Sequence, residues 1–206
     1  MPRNALFTRE EVVGKAFDLV REKGSDALSA RELGKALGSS SRPIFTLFKN
    51  MEELKEEVRK AASDFLASYM EGVTDYTPAF KEYARRLIRF SKEEDHLFTL
   101  LFLSREARRN TLDHVATICS DALEEAYGLS HDEMMTLLNQ CWTFICGMTI
   151  LSNTGAVDYD DGRVSEMLSR QFISNLMLIK SGKELPVVDP HLRGEGEEEI
   201  TLKIDF

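Results

Sequence analysis

Three times in this sequence a serine or threonine stands three residues before a glutamate and opens a run of apolar side chains at helical spacing: Thr8 with Glu11, Ser29 with Glu32, and Ser130 with Glu133. Each is a capping box, in which hydroxyl and carboxylate satisfy backbone N–H groups that a first helical turn leaves without partners. The stops are as regular as the starts. Gly24, Gly38, Gly128 and Gly182 each follow the end of an apolar period, where a glycine in the left-handed region ends a helix. Only twelve Gly and five Pro punctuate 206 residues, which favours long helices over many-turned sheets. The sequence predicts an all-α fold.

The first 50 residues carry the densest punctuation. Val12, Val13, Ala16, Phe17 and Val20 make the inner stripe of a first helix ending at Gly24. A short second helix, capped by Ser29, turns Leu33, Ala36 and Leu37 inward and closes at Gly38. A third is capped by Ser40, takes Pro43 into its first turn, where the missing N–H costs nothing, and buries Ile44, Leu47 and Phe48. Two short helices about three residues apart around a glycine have helix-turn-helix spacing. Longer helices follow over 51 to about 70, 79 to about 92, 95 to about 108 and 111–127. The next, opened by Ser130, has roughly 22 residues, and the last covers about 163–180. Leu54, Val58, Ala61, Ala62, Phe65, Leu66 and Tyr69 form the inner face of the first of these. The organisation is therefore a three-helix head (1–50), a larger helical body (51–182) and an acidic, flexible extension (183–206). The last seven residues alternate as a strand would, with no evident partner strand.

Charge separates head from body. The net charge is −9, yet residues 1–49 hold nine Lys/Arg against six Asp/Glu, while the rest hold seventeen against twenty-nine. A basic head on an acidic body suits a chain that meets phosphates with one end only. Three cysteines without paired spacing give no disulfide framework and point to a reducing, cytoplasmic setting. The first eleven residues lack the apolar core of a signal peptide. The longest apolar-leaning run, 141–151, has eleven residues, short of the ~20 of a membrane span. His96, His114, His131 and His191 form no H-x-x-x-H pair; His114 with Cys119, and Cys141 with Cys146, are five apart and share no helical face. No Gly-rich dinucleotide or phosphate loop occurs. No catalytic residue, metal site or cofactor is predicted, and the chain is not expected to be an enzyme. Oxidation of Cys119, Cys141 or Cys146 in a sensing role stands as a variant; their apolar helical settings favour inert thiols.

Residues 7–60, with Gly38-Ser39-Ser40-Ser41-Arg42-Pro43-Ile44-Phe45-Thr46-Leu47-Phe48 followed by Glu53-Leu54 in the fourth helix, resemble the DNA-binding head of tetracycline-repressor-type (TetR-like) transcriptional regulators. The resemblance implies a homodimer of all-helical subunits pairing through the last two helices, double-stranded operator DNA as partner, and a body that binds a small-molecule effector and so releases the DNA. A recognition helix presents its N-terminal end to the major groove: here Ser39, Ser40, Ser41, Arg42, Pro43 and Thr46. Arg42 is the side chain able to grip guanine bidentately, with a solvated surface arginine as the plain alternative. Pro43 fits a thymine methyl group, and Ser29, Arg31 and Lys49 fit phosphates. Phe45 and Phe48 read first as packing residues, with Phe45 also touching the DNA backbone. The family usually has Tyr in place of Phe45 and Lys in place of Met51, and each such loss removes a phosphate contact.

In the body, Phe65, Tyr69, Phe102 and Trp142 are candidate pocket walls, with Asn139 beside Trp142 and Arg105 as a partner for an anionic ligand. For each aromatic residue taken singly, ordinary helical core is the favoured reading, and Arg105 can equally be a charge at a helix C-terminus. For the dimer face, Cys146, Gly147, Thr149, Ser152, Ser169 and Ser174 are small enough for close backbone approach, and the segment 172–179 is apolar nearly all round. The competing reading is a helical small-molecule-binding or interaction protein whose head has weakened DNA affinity.

Overall fold

A computed structural model of the chain describes residues 7–75, 78–104 and 111–182. Its helices are α1 (Arg9–Lys23), α2 (Ala30–Ala36), α3 (Ile44–Leu47), α4 (Met51–Tyr69), α5 (Ala79–Glu93), α6 (Asp95–Phe98), α7 (Thr111–Tyr127), α8 (His131–Asn153) and α9 (Asp161–Ser181). Among the described residues there is no strand. Predicted Arg105 and the 183–206 extension lie outside the described residues.

Two capping boxes form in full. Thr8 Oγ1 accepts from Glu11 N at 3.2 Å while Glu11 Oε2 accepts from Thr8 N at 2.7 Å. Ser130 and Glu133 repeat this at 3.3 and 2.8 Å. The third is half made: Ser29 Oγ accepts from Glu32 N at 3.2 Å, but the Glu32 carboxylate turns to Lys35 Nζ at 2.7 Å, an i,i+3 ion pair that competes with the cap. Two caps went unread in the sequence. Asn50 caps α4 by accepting from Glu53 N at 2.9 Å, and Asp160 caps α9 by accepting from Arg163 N at 2.8 Å, which moves that helix start from 163 to 161.

Four local expectations change. Gly24 has φ 82 with ψ 165, positive but extended rather than left-handed, because the chain runs on into a 3-10 turn at Ser25–Ala27. Ala36 is exposed, and Gly34 takes the inward place beside Leu33. The cap at Ser40 does not form a regular first turn: its Oγ lies 3.4 Å from Arg42 N, and α3 begins at Ile44 with Pro43 just before it. The helix expected over 95–108 stops early. After α6 the chain makes one π-helical turn, Thr99–Leu103, closed by Ser104 N donating to Thr99 O at 3.0 Å, and Ser104 is extended (φ −71, ψ 156). The Ser104 hydroxyl donates to Leu100 O at 2.9 Å, a side-chain bond that competes with the helical ladder.

Buried side chains form one connected core from Val12 in α1 to Phe172 in α9. α4 joins the two regions. Its first turns hold the head through Glu53 and Glu57, and its last turns carry Phe65 and Tyr69 against Phe90 of α5. α8 is 23 residues long with a mean hydropathy of 1.3 over its most apolar window, enough by length and composition to cross a membrane. One face of it is packed: Met134, Leu137, Leu138, Cys141, Trp142, Ile145 and Met148 are buried, and α8 packs against α5, α7 and α9.

Candidate nucleic-acid interface

The geometry of the head depends on a glycine that sequence reading passed over. Gly34 is buried in α2, and a Cβ there would sit 3.0 Å from both Ser40 C and Ser41 N, backbone atoms that cannot swing aside. Helix and turn therefore meet backbone to backbone, as only glycine allows. Gly38, at φ 66, supplies the left-handed residue that reverses the chain, and Ser39 N donates to Gly34 O at 2.9 Å. The signal for Gly34 was available: a glycine inside a short helical pattern usually marks a close approach.

α3 is then fixed from below. Ile44 and Phe48 are buried, and the Arg9 guanidinium lies 4.3 Å over the Phe48 ring. The same group donates to Leu47 O at 2.9 Å, Glu53 Oε1 at 2.8 Å and Glu57 Oε1 at 3.0 Å, tying α1, α3 and α4 together. Glu53 also accepts from Lys49 N at 2.7 Å. That backbone hydrogen bond first, and Arg9 second, hold the Glu53 carboxyl below the ordinary glutamate range, while Arg9 is raised by its hydrogen bonds to Glu53 and Glu57. No sequence pattern announces this clamp, because its partners lie 38 to 48 residues apart.

What α3 and its flanks present outward is a stripe. Arg42, Phe45, Thr46 and Lys49 are all exposed: Phe45 and Thr46 on α3 itself, Arg42 in the turn before it and Lys49 just past the extended Phe48. Phe45 is 50% exposed whereas Phe48 is 2% exposed, so Phe48 is core and Phe45 is not. Thr46 Oγ1 donates to Pro43 O at 2.6 Å, leaving its oxygen as an acceptor. Ser29, Arg31 and Ser40 are exposed beside this stripe; Ser39, Ser41 and Pro43 are half-buried in the turn. None of the described ion pairs engages Arg31, Arg42 or Lys49.

The body residues nominated for a pocket fall into two packed clusters. Phe65 lies 5.8 Å from Phe17 and 6.3 Å from Phe90, with the Arg21 guanidinium 4.9 Å above it. Tyr69 packs edge-on to Phe90 and donates to Glu93 Oε2 at 2.7 Å; burial, then that carboxylate, push its phenol up to about 12. Phe102 lies 5.0 Å from Phe98 and 5.5 Å from Trp142. Asn139 is exposed on α8. Two cavities among the described residues have other linings. One of about 460 Å³ lies beside the π turn, between α5, α6 and the end of α8, with Lys92, Asp95, Phe98, Thr99 and Asn153 on its walls. There Asn153 Nδ2 donates to Ser91 O at 2.9 Å, linking α8 to α5. A second, of about 240 Å³, lies between α5, α7 and α9.

Three further observations bear on function. Burial raises the thiols of Cys119 to about 12 and of Cys141 and Cys146 to about 11, so they are poor nucleophiles and poor redox sensors. Among the described residues, no three His, Cys, Asp or Glu side chains converge on a metal position. α8 and α9 leave large apolar side chains in the open: Ile150, Leu151, Ile173 (53%) and Met177 (68%) are exposed, and a Cβ at Gly147 would meet nothing within 4 Å. Thr149 and Phe172, expected on that surface, are buried; the Thr149 hydroxyl bonds Ile145 O inside the fold and Phe172 packs on Phe80 and Tyr127.

A short-helix head with a glycine-tight turn, set on a bundle of long helices, makes an all-helical fold with a helix-turn-helix at its N-terminal end. Solved structures agree with it. A transcriptional regulator from Rhodococcus sp. Rha1 superposes with a TM-score of 0.64 at 20% identity, over 83% of this chain and 97% of that one. A TetR-family protein from Vibrio parahaemolyticus gives 0.60 at 16% identity, over 81% and 97%. A TetR-family transcription regulator from Marinobacter aquaeolei VT8 gives 0.55 at 14% identity, over 79% and 92%. No protein-family profile matches the sequence. No curated protein matches it either. The chain has the TetR-type fold.

Proposed function

We propose that this chain is a homodimeric, sequence-specific DNA-binding transcriptional regulator acting in the cytoplasm, a repressor released from operator DNA by a small molecule. The observation that carries the reading is the exposed stripe Arg42–Phe45–Thr46–Lys49, held rigid from beneath by Phe48, Arg9 and the Gly34 turn. A part-buried clamp under an exposed, cation-bearing face suits major-groove entry, since a pre-ordered scaffold loses less freedom on binding. In this reading residues 1–50 bind DNA. Arg42 reads guanine, Pro43 meets a thymine methyl, and Ser39, Ser40, Ser41 and Thr46 bond base edges or phosphates. Ser29, Arg31, Phe45 and Lys49 touch the backbone.

The remainder, 51–182, dimerises and senses. Ile150, Leu151, Ile173 and Met177, with Gly147 between them in open space, supply an apolar face across α8 and α9 of the kind that a second copy covers. Phe102 of the π turn packs on Trp142 and on Phe98, which lines the 460 Å³ cavity, and this is where an effector would shift α6 against the head. A reading in which the body binds ligands while the head has lost DNA affinity draws on Phe45, which has no hydroxyl for a phosphate.

The test is binding to the DNA flanking the protein's own coding region at ~50 and ~200 mM salt, against scrambled DNA. Specific retention that falls steeply with salt supports the regulator. Binding no better than to scrambled DNA, there and across a genomic selection, sinks it in favour of the second reading.

A further inference from the structure

The cavity of about 240 Å³ lies where the start of α5, the end of α7 and the middle of α9 meet. The head touches the other end of α5, where the Arg21 Nε donates to Glu94 Oε2 at 2.7 Å. The 15 residues of α5 separate the two by about 22 Å. Its walls are aromatic and aliphatic: Phe80 and Phe172 stand 5.8 Å apart at 30°, Tyr127 lies 5.4 Å from Phe172 at 58°, and Leu168 and Leu176 close the sides.

Three of the lining residues, Lys81, Tyr127 and Ser169, carry a polar side-chain group. The Ser169 hydroxyl is committed to Ser165 O at 2.9 Å. The Lys81 ammonium and the Tyr127 hydroxyl have no hydrogen-bond or ion-pair partner among the described residues. Nearby acids do not answer Lys81: Glu82 is taken by Arg86 at 2.9 Å and Arg85 at 3.7 Å, and Glu124 lies 3.1 Å from His131 Nδ1. A second cation, Lys180, donates to Gly128 O at 2.8 Å, one residue from Tyr127. An ammonium and a phenol beside an apolar chamber call for an acceptor-only group with several lone pairs, which is a carboxylate. At about 30 Å³ for each water-sized group, the space is that of roughly eight such groups, the scale of one six-membered ring with a short substituent. Rings set at 30° and 58° accept another ring offset or edge-on.

We infer that this cavity binds a small aromatic carboxylic acid, its ring among Phe80, Tyr127 and Phe172 and its carboxylate held by Lys81 and Tyr127. The site goes beyond the regulator reading and does not depend on it, because its occupancy is read on the protein alone.

The experiment is calorimetric titration of the full chain with phenylacetate and with its neutral analogue phenylacetamide, for wild type, Lys81→Met and Tyr127→Phe. The melting curve of each variant checks the fold. Saturable phenylacetate binding that weakens about tenfold or more in Lys81→Met and less in Tyr127→Phe, with phenylacetamide insensitive to Lys81→Met, is the expected result. Nuclear Overhauser contacts from the ligand ring to Tyr127 and Leu168 are expected alongside. Absence of saturable binding at millimolar ligand overturns the proposal. So does equal affinity of wild type and Lys81→Met, or contacts to Phe98 and Trp142 instead. Tyr127→Phe removes a single oxygen and keeps the test decisive if Lys81→Met does not fold.

Discussion

Head and body solve the same problem, helices that must bury one face, by opposite means. The head has little apolar area to spend, with α2 and α3 only 7 and 4 residues long. It relies on specific devices: the Gly34 contact, the capping residues Thr8, Ser29 and Asn50, and the Arg9 clamp reaching Leu47, Glu53 and Glu57. The body relies on bulk, with long helices, aromatic clusters at Phe65–Phe90 and Phe98–Phe102–Trp142, and apolar surface left over on α8 and α9. A surface held by a few directional contacts keeps its shape while exposing polar groups. A surface made of surplus apolar area is incomplete until something covers it.

That contrast breaks most visibly at the body's outer face. Ile173→Glu with Met177→Glu should convert a dimer to monomers in sedimentation, since each unpaired buried charge costs about 3–5 kcal/mol. An unchanged sedimentation coefficient would locate the dimer interface elsewhere, while the melting curve reports whether the subunit itself survives. In the head the equivalent blow is Gly34→Val. Its branched side chain would drive into the backbone of Ser40 and Ser41, and the overpacking should cost about 1–3 kcal/mol of stability, with DNA retention lost in parallel. A neutral effect on melting would mean that the turn yields easily and is not the rigid element described.

Smaller changes sharpen the comparison at the exposed stripe. Arg42→Ala should lose about 1–3 kcal/mol of discrimination at a single base pair, measured by binding to a set of operator variants. A uniform loss over all sequences would make Arg42 a phosphate contact. Phe45→Tyr restores a hydroxyl on a ring already half in solvent; it should tighten binding and steepen the salt dependence by roughly one phosphate.

The smallest effect is in pH. Glu53 is held below the ordinary glutamate value of 4.5 in the folded head, so its contribution to stability is present above that value and is lost as pH falls through the lower folded one. Acid should therefore weaken the head, and Glu53→Gln should blunt the acid dependence of melting below pH 4.5.

Much of the head was legible, for a local reason. Thr8 with Glu11 is a contact between residues three apart, as are Ser29 with Glu32 and Ser130 with Glu133. Such contacts are written into short stretches of chain. The unread parts of the head are those where distant segments meet: Arg9 on Glu57, and Gly34 under Ser40. In the body, periodicity placed α7 and α8 closely but missed the π turn at Thr99–Leu103, which no residue pattern marks. The pocket residues show the limit most plainly. Phe65 and Tyr69 pack on Phe90, and Phe102 packs on Trp142, pairings that no local pattern announces. The 240 Å³ space opens instead among Phe80, Tyr127 and Phe172.

By itself the sequence determined the helical class, the order of the elements, most of their ends and the helix-turn-helix spacing, because capping, glycine stops and the 3.6-residue period all act within a turn or two of chain. Tertiary structure alone decided that Phe48 is buried and Phe45 is presented, that Phe172 faces the core while Ile173 and Met177 face out, and where empty space is left between helices. Those outcomes turn on how side chains from distant segments fill volume against one another. Close packing is a property of the assembled set of neighbours, and no window of sequence contains it.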